Sequence, residues 1–180
     1  VSAWAGEPID TEGDEVVTLA PLCIQQPHPP LWVAAFGPKA LTQAGRLGLP
    51  YLASPIESFA RLRSNYALHR EQLAEHGHED AGAVPVMRTV FASRSPSLLE
   101  QARRALEIQA AEIRSARGSL QLDLDHIDDW AIVGSPDEVA QKISDQRQVL
   151  GMTHLIVRGH IPRIRREDLE ESLRLLVEAL

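Results

Sequence analysis

The chain has 180 residues, 44% hydrophobic and 24% charged, with a mean hydropathy of −0.16, the profile of one ordinary globular domain. A net charge of −7 and a pI near 5.5 leave no electrostatic footprint for nucleic acid or an anionic membrane. No run approaches the roughly 20 apolar residues of a bilayer span, and the single Cys23 cannot close an internal disulfide, which points to a reducing cytoplasm.

Residues 1–30 read as an irregular lead-in. Gly6, Pro8, Gly13, Pro21, Pro27, Pro29 and Pro30 crowd it with turn formers, around one short extended run from Glu15 to Leu19. Val1 in place of an initiator Met, with neither a basic nor an apolar leader segment behind it, points to a chain that begins inside a longer gene product.

From residue 31 to 180 the rhythm becomes strand, helix, strand, helix. Leu31 to Phe36 is a continuous apolar run, the pattern of a strand covered on both faces. A helix is expected from Pro38 to Leu47, stopped at Gly48, then a short strand from Tyr51 to Ser54. Ile56 to Glu75 reads as a long helix with Phe59, Leu62, Tyr66 and Leu73 on its apolar stripe and Gly77 as C-cap. Val84 to Ala92 is a third strand, followed by a helix opened by Ser95-Pro96 and carrying Leu99, Ala102, Leu106 and Ile113. Gly118 to Asp129 reads as a linker. Ser135-Pro136-Asp137-Glu138 carries the parts of a capping box, for a helix to Leu150 that ends at Gly151. Thr153 to Arg158 is the fourth strand, and a last helix from Glu167 to Leu180 places Leu169, Leu173 and Leu176 on one stripe. Alternation of this kind implies parallel strands with helices outside. Periodicity alone leaves both a small open sheet and half of an eight-stranded barrel open.

The segment richest in chemistry is the turn after the first of these strands. Gly37 permits a close backbone approach, and Pro38 is preorganised for the first helical position. Free amides and the positive end of the helix dipole make such a turn an anion site. Lys39 sits where a cation is disfavoured by roughly 0.3–1 kcal/mol, a sign that a bound phosphate would reverse. The bland alternative is an ordinary strand-to-helix turn with Lys39 in solvent.

The stretch from Pro27 to Ser54 resembles the luciferase-like flavin-dependent monooxygenase family around its fifth barrel strand. Trp130-Ala-Ile-Val-Gly-Ser-Pro-Asp-Glu-Val-Ala, followed by Gly151-Met-Thr-His-Leu-Ile-Val-Arg158, is similar to the family's late helix and final strand. The resemblance implies an α/β fold of the parallel (β/α)8 TIM-barrel type, with about four strands, the C-terminal half, in this chain. It implies an oxidoreductase or monooxygenase holding reduced FMN, or the deazaflavin F420, at the C-terminal strand ends. The cofactor-binding residues it implies are Ala35, Phe36, Gly37, Lys39, Ala40, Ser54 and Arg158. Where the luciferase version has acidic and hydroxyl side chains at this turn, Phe36 and Gly37 stand here. A small organic substrate, with O2, and a homodimer or barrel-completing partner are expected, because half a barrel leaves two raw strand edges. The competing reading is a non-catalytic half that needs a partner.

Other candidates have bland alternatives. Arg158 is either a contact at the barrel mouth or half of an ion pair. Arg88, in mid-strand, is expected to be buried and paired. Ser54 and Ser93 end strands as ligand contacts or as turn starters. His76 to Asp80 is expected to be a helix end without metal, and the acids around His126 a solvated linker. Trp32 and Trp130 read as core, and Cys23 has no neighbour in sequence that would activate it.

Overall fold

The computed structural model describes residues 6–10, 15–26, 28–116 and 124–180. The N-terminal five residues, Gly13, Pro27 and the first part of the expected 118–129 linker lie outside the described residues. The chain divides into two compact units, Val1–Leu31 and Trp32–Leu180. In the first, β1 (Ile9–Asp10) pairs antiparallel with β2 (Val16–Val17), inside the run expected to be extended. All four of those strand residues are exposed, and Cys23 is a half-buried free thiol.

The second unit alternates strands and helices: β3 (Val33–Ala34), α1 (Pro38–Arg46), β4 (Tyr51–Leu52), α2 (Phe59–Glu75), β5 (Pro85–Ala92) and α3 (Pro96–Ala116). After these come α4 (Ile127–Trp130), β6 (Ala131–Gly134), α5 (Pro136–Leu150), β7 (His154–Arg158) and α6 (Arg166–Ala179). Every strand pair in this unit is parallel. No helix among the described residues is long and apolar enough to cross a membrane.

Local chemistry explains the helix ends. Ser135 accepts from the Glu138 amide while its own amide donates to Glu138 Oε2 at 2.7 Å, which closes the capping box, and Gly151 ends α5 at φ 70°. The α2 helix starts at Phe59, three residues later than Ile56, because Ser58 caps it by accepting from the Arg61 amide at 3.2 Å. On α6 the buried face is Ser172, Leu175 and Leu176, so Leu173, expected on the stripe, is 42% exposed.

One strand escaped the sequence reading. Ala131–Gly134 is only four residues, fully buried, and runs straight into the Ser135 cap, so its pattern merges with the helix start. It pairs with β5 from Thr89 to Ala92, whereas β7 pairs with β5 from Pro85 to Thr89. Hydrogen-bond parity assigns the edges. Pro85 O accepts from Ala53 and the Ser93 amide donates to Gly134 O, both from odd-numbered residues, while Val84 O accepts from Thr153. Odd and even residues of a strand address opposite edges. Thus β4 and β6 share one edge of β5, and β7 takes the other. Sequential neighbours therefore run β3, β4, β5, β7, with β6 added above β4. The described strands do not close on themselves.

Each strand shows two unlike faces. Tyr51, Ala53, Val86 and Val90 pack with Leu41, Leu62, Val139, Ile143, Leu175 and Leu176 in a helix-side core. On the other face Phe91, Ala131 and Val133 join Ala102, Leu106 and Trp130 in a second cluster under α3. Where α3 does not cover it this second face is open: Trp32, just before β3, is 36% exposed, and Phe36, past its C-terminal end, is 50% exposed. The apolar run Leu31–Phe36 therefore does not form the doubly covered strand its composition suggests. Only Val33 and Ala34 pair as strand, and burial alternates along the run.

The helix layer is tight where α1 meets α2. A Cβ on Gly45 would lie 2.5 Å from Gln72 Cβ and 3.1 Å from its backbone carbon. Gly45→Ala should therefore destabilise the fold by roughly 1–3 kcal/mol, the range of an overpacked core, despite alanine's better helix propensity. Urea unfolding of the two proteins measures this; an equal or higher midpoint for the variant would refute the packing.

Candidate cofactor site at the strand ends

Because every strand here is parallel, all C-terminal ends emerge on one rim. The register runs Val33–Tyr51 and Ala34–Leu52, then Ala53–Val86 and Val86–Leu155. Extended by two residues beyond the β3–β4 pairs and by one beyond Ala53–Val86, it aligns Phe36 and Ser54 with the Met87–Ile156 pair, in a row on the face away from the helices. One row higher on that face, Thr89 stands opposite Arg158. Lower down, the rings of Trp32, just before β3, and His154, the first residue of β7, meet edge-on with centroids 5.2 Å apart. In a flat sheet those strands would stand roughly 14 Å apart with side chains upright. Their meeting means that the side chains converge on this face, which is the concave one. Trp32 is thus not the core residue its position in an apolar run suggests.

At the rim, β3 turns into α1 through Gly37 at φ 84° and ψ 170°, a region open to glycine and strained for other residues. No atom lies within 4 Å of where a Gly37 Cβ would stand, so the turn faces open space. No side chain caps α1, and Pro38 holds its first turn. The Lys39 and Ala40 amides have no helical carbonyl to bond, since the first bond of the helix is Leu41 N to Gly37 O at 3.3 Å. Lys39 is exposed and makes no ion pair among the described residues.

The seven residues expected to bind a cofactor separate by geometry. Phe36, Ser54 and Arg158 lie on the concave face, with Gly37 and Lys39 at the rim turn. Ala35 is 2% exposed in the helix-side core, and Ala40 packs against the same core, so these two can offer only backbone. Two clefts among the described residues lie elsewhere. One is lined by Arg63, Arg70 and Val149 between α2 and α5, and another by His69, Gly82 and Thr153 at the strand starts.

A buried polar cluster holds the neighbouring turn, and nothing in the sequence marked it. Glu57, 6% exposed, accepts from Tyr51 Oη at 2.7 Å, the Ser54 amide at 2.7 Å and Asn65 Nδ2 at 2.6 Å. Three donors from β4, its following turn and α2 thereby fix the place of Ser54 on the rim. Burial raises the Glu57 carboxyl above the ordinary glutamate range, against the pull of those donors. Burial, followed by the nearby carboxylate, raises the Tyr51 phenol too. Arg88 is fully buried, as expected, but its partners are not acids. It donates to Gln146 Oε1 at 3.1 Å, Glu57 O at 2.6 Å and Trp130 O at 3.2 Å. Burial lowers its pKa to about 10, which leaves it charged at neutral pH, with Glu57 as the nearby counter-charge. Arg88 faces the helices, so it belongs to the packing and not to the concave face.

The remaining candidates have structural partners. His76 Nδ1 lies 2.9 Å from Gln72 O, and His78 Nε2 lies 3.2 Å from Arg46 O. Among the described residues no three His, Cys, Asp or Glu side chains are grouped for a metal ion. Ser93 Oγ accepts from the Ser95 amide, a turn role, and Trp130 is fully buried. Asp128, near His126, binds Arg103 and Lys142 at 3.0 and 2.7 Å, a surface network in place of a bare linker.

The family model for luciferase-like monooxygenases matches residues 1–154 of this chain. The chain belongs to that family. Among solved structures it is similar to the monooxygenase RslO1 from Streptomyces bottropensis, at 24% identity and a TM-score of 0.74, over 99% of this chain and 56% of that one. The oxygenating constituent of 3,6-diketocamphane monooxygenase from Pseudomonas putida, solved with FMN, matches at 19% identity and a TM-score of 0.65, over 97% and 57% of the two chains. The coenzyme F420-dependent tetrahydromethanopterin reductase from Methanopyrus kandleri matches at 18% identity and a TM-score of 0.69, over 98% and 59%. At these identities the likeness is one of fold, an α/β architecture with parallel strands. The luciferase-like chain described here spans just over half the length of RslO1. No curated protein sequence matches it.

Glu57 gives a pH signature. Its folded pKa lies above its unfolded value, so the folded state holds the proton more tightly and stability falls as pH rises from about 4 through the raised pKa. Thermal unfolding from pH 4 to 7 should show that decline in the wild type and a flatter profile in Glu57→Gln. Identical slopes would mean that Glu57 does not titrate as described.

Proposed function

We propose that this chain supplies the C-terminal half of a (β/α)8 barrel in a flavin-dependent oxidoreductase or monooxygenase. In this reading the cofactor's phosphate is held at the Gly37–Ala40 turn and its ring lies over the concave face. The observation that carries it is the pairing of an open, amide-rich turn at the rim with a concave, half-open face whose opposite side is fully packed. Parallel sheets ordinarily bury both faces, and barrels bind ligands at the C-terminal strand ends. The family and its FMN-bearing structural neighbour support the cofactor class.

The residues present fit such a group. Gly37 leaves room for a phosphate oxygen, the Lys39 and Ala40 amides are free to donate, and the Lys39 ammonium adds the counter-charge that the sequence otherwise lacks there. Phe36, Met87 and Ile156 form an apolar floor that keeps water from a planar ring, and Ser54 offers a hydroxyl at its edge. Bound there, reduced FMN supplies the electrons for reaction with O2 and a small organic substrate. The protein's part is positioning and the exclusion of water. F420, a hydride carrier, is the second reading, favoured by the F420-dependent neighbour and by the Gly-Pro-Lys-Ala-Leu turn, which resembles the F420-using branch of the family. The cytoplasm, where reduced carriers are regenerated, is the compartment this role requires.

Lys39→Glu should weaken FMN binding about tenfold or more, since it replaces a charge-assisted contact with repulsion. Flavin fluorescence quenching reads the affinity; an unchanged value would remove Lys39 from the site. The outer edges of β3 and β7 are unpaired among the described residues, and such edges recruit further strands. The chain alone should therefore run in light scattering at about twice its 19.9 kDa mass, as a homodimer in which two halves complete one barrel. A stable monomer would speak for a different covering of the concave face.

A further inference from the structure

A run of cations in this acidic chain lies where β7 leads into α6. From Arg158 to Arg166 the sequence reads Arg-Gly-His-Ile-Pro-Arg-Ile-Arg-Arg, with no acid. Two of these cations are already engaged: Arg165 with Asp168 at 2.9 Å and Arg166 with Glu170 at 2.7 Å. The side chains of Arg158, His160 and Arg163 make no hydrogen bond or ion pair among the described residues. Arg163 also holds φ at 66°, alone among the non-glycine residues described. Packing on both sides imposes that conformation. Ile161 is fully buried, Ile164 is 8% exposed, and Gln101 Nε2 donates to Arg163 O at 3.2 Å. Backbone strain that the surroundings enforce is characteristic of ligand-gripping turns.

A second observation concerns Arg158. Thr89 is Arg158's partner in the β5–β7 register and projects from the same concave face. It is fully buried, and its hydroxyl has no hydrogen-bond partner among the described residues. An unmet buried hydroxyl is costly, and a ligand oxygen drawn beside Arg158 would supply the missing acceptor. On its other side Ala131 is 2% exposed and packs in the cluster under α3, which leaves the Arg158 side as the one a ligand would approach.

We propose that Arg158 and Arg163 form a recognition site for the carboxylate of an organic substrate. Thr89 donates to one carboxylate oxygen as Arg158 turns onto the ligand and opens the hydroxyl to it. Planar guanidinium groups match a carboxylate with two parallel bonds. The substrate role rests on the flavoenzyme reading above and divides two anions between opposite ends of the strand array. The cofactor phosphate goes to the end of β3, and the substrate carboxylate goes to the end of β7, three strands away.

NMR titration of the 180-residue chain with sodium benzoate tests this, with benzamide as a neutral compound of the same shape. Benzoate should shift the Arg158 and Arg163 Nε–Hε resonances saturably, and benzamide should bind at least tenfold more weakly. Arg163→Gly is the decisive variant because glycine accepts the turn's φ. It should raise Tm by a few degrees, roughly the relief expected from removing such strain, yet weaken benzoate binding about fivefold or more. Thr89→Val should likewise raise Tm and weaken benzoate. Lys39→Glu should leave benzoate binding unchanged. Failure of the wild type to bind FMN would end the cofactor reading and leave the benzoate result to stand by itself. Shifts at the Gly37 and Lys39 amides in place of Arg158, equal benzoate affinity in Arg163→Gly, or no saturable shift would overturn the site.

Discussion

The pleat of the parallel strands β3 to β7, packed on one face and half-open on the other, is the constraint from which the other features follow. Successive side chains of a strand take opposite faces. Tyr51, Ala53, Val86 and Val90 are committed to the helix layer, which leaves their neighbours Leu52, Ser54, Met87 and Thr89 to the concave side. A one-residue slip would exchange the two sets and put Arg88 on the open face and Phe36 in the packing. The register of a handful of pairs thus decides which residues can meet a ligand.

Electrostatics reinforces this division. On the packed side, the charges of Glu57 and Arg88 are buried, and each is satisfied by fixed donors or acceptors, several of them backbone. These groups hold the turn after β4 to α2, α4 and α5 and are unavailable to a ligand. On the rim, Lys39, Arg158 and Arg163 are cations without protein partners among the described residues, in a chain whose net charge is −7. Unpaired positive charge kept at strand ends of an acidic protein is what an anionic ligand requires. The packing face gains order from its polar groups, whereas the rim keeps its cations free.

Family membership and internal geometry are separate lines of support. The family match covers most of the chain, while the structural relatives are nearly twice as long. In the proposed reading, a second half-barrel would add covering for the concave face and partners for the edges of β3 and β7. In that reading, the described residues form one side of a cleft. That explains why Phe36 and Trp32, both large and apolar, are left so exposed.

Much of this was legible in the residues themselves. The Ser135–Glu138 capping box, the Gly37-Pro38 turn, the helix–strand alternation and the buried Arg88 all depend on neighbours within a few positions, where local sterics and hydrogen bonding dominate. Features that depend on partners distant in sequence were not legible. The four-residue strand Ala131–Gly134 exists because β5 offers an edge, Trp32 is half-exposed because the sheet curves, and Glu57 meets Tyr51 and Asn65 only once β4 and α2 pack together. Most of the elements, their order and the chemistry of the rim turn can be read along the chain, since each is set by neighbouring residues. Which face each strand residue takes, and with it the pairing of Thr89 and Arg158, follows from register, a contact between distant segments that no local pattern encodes.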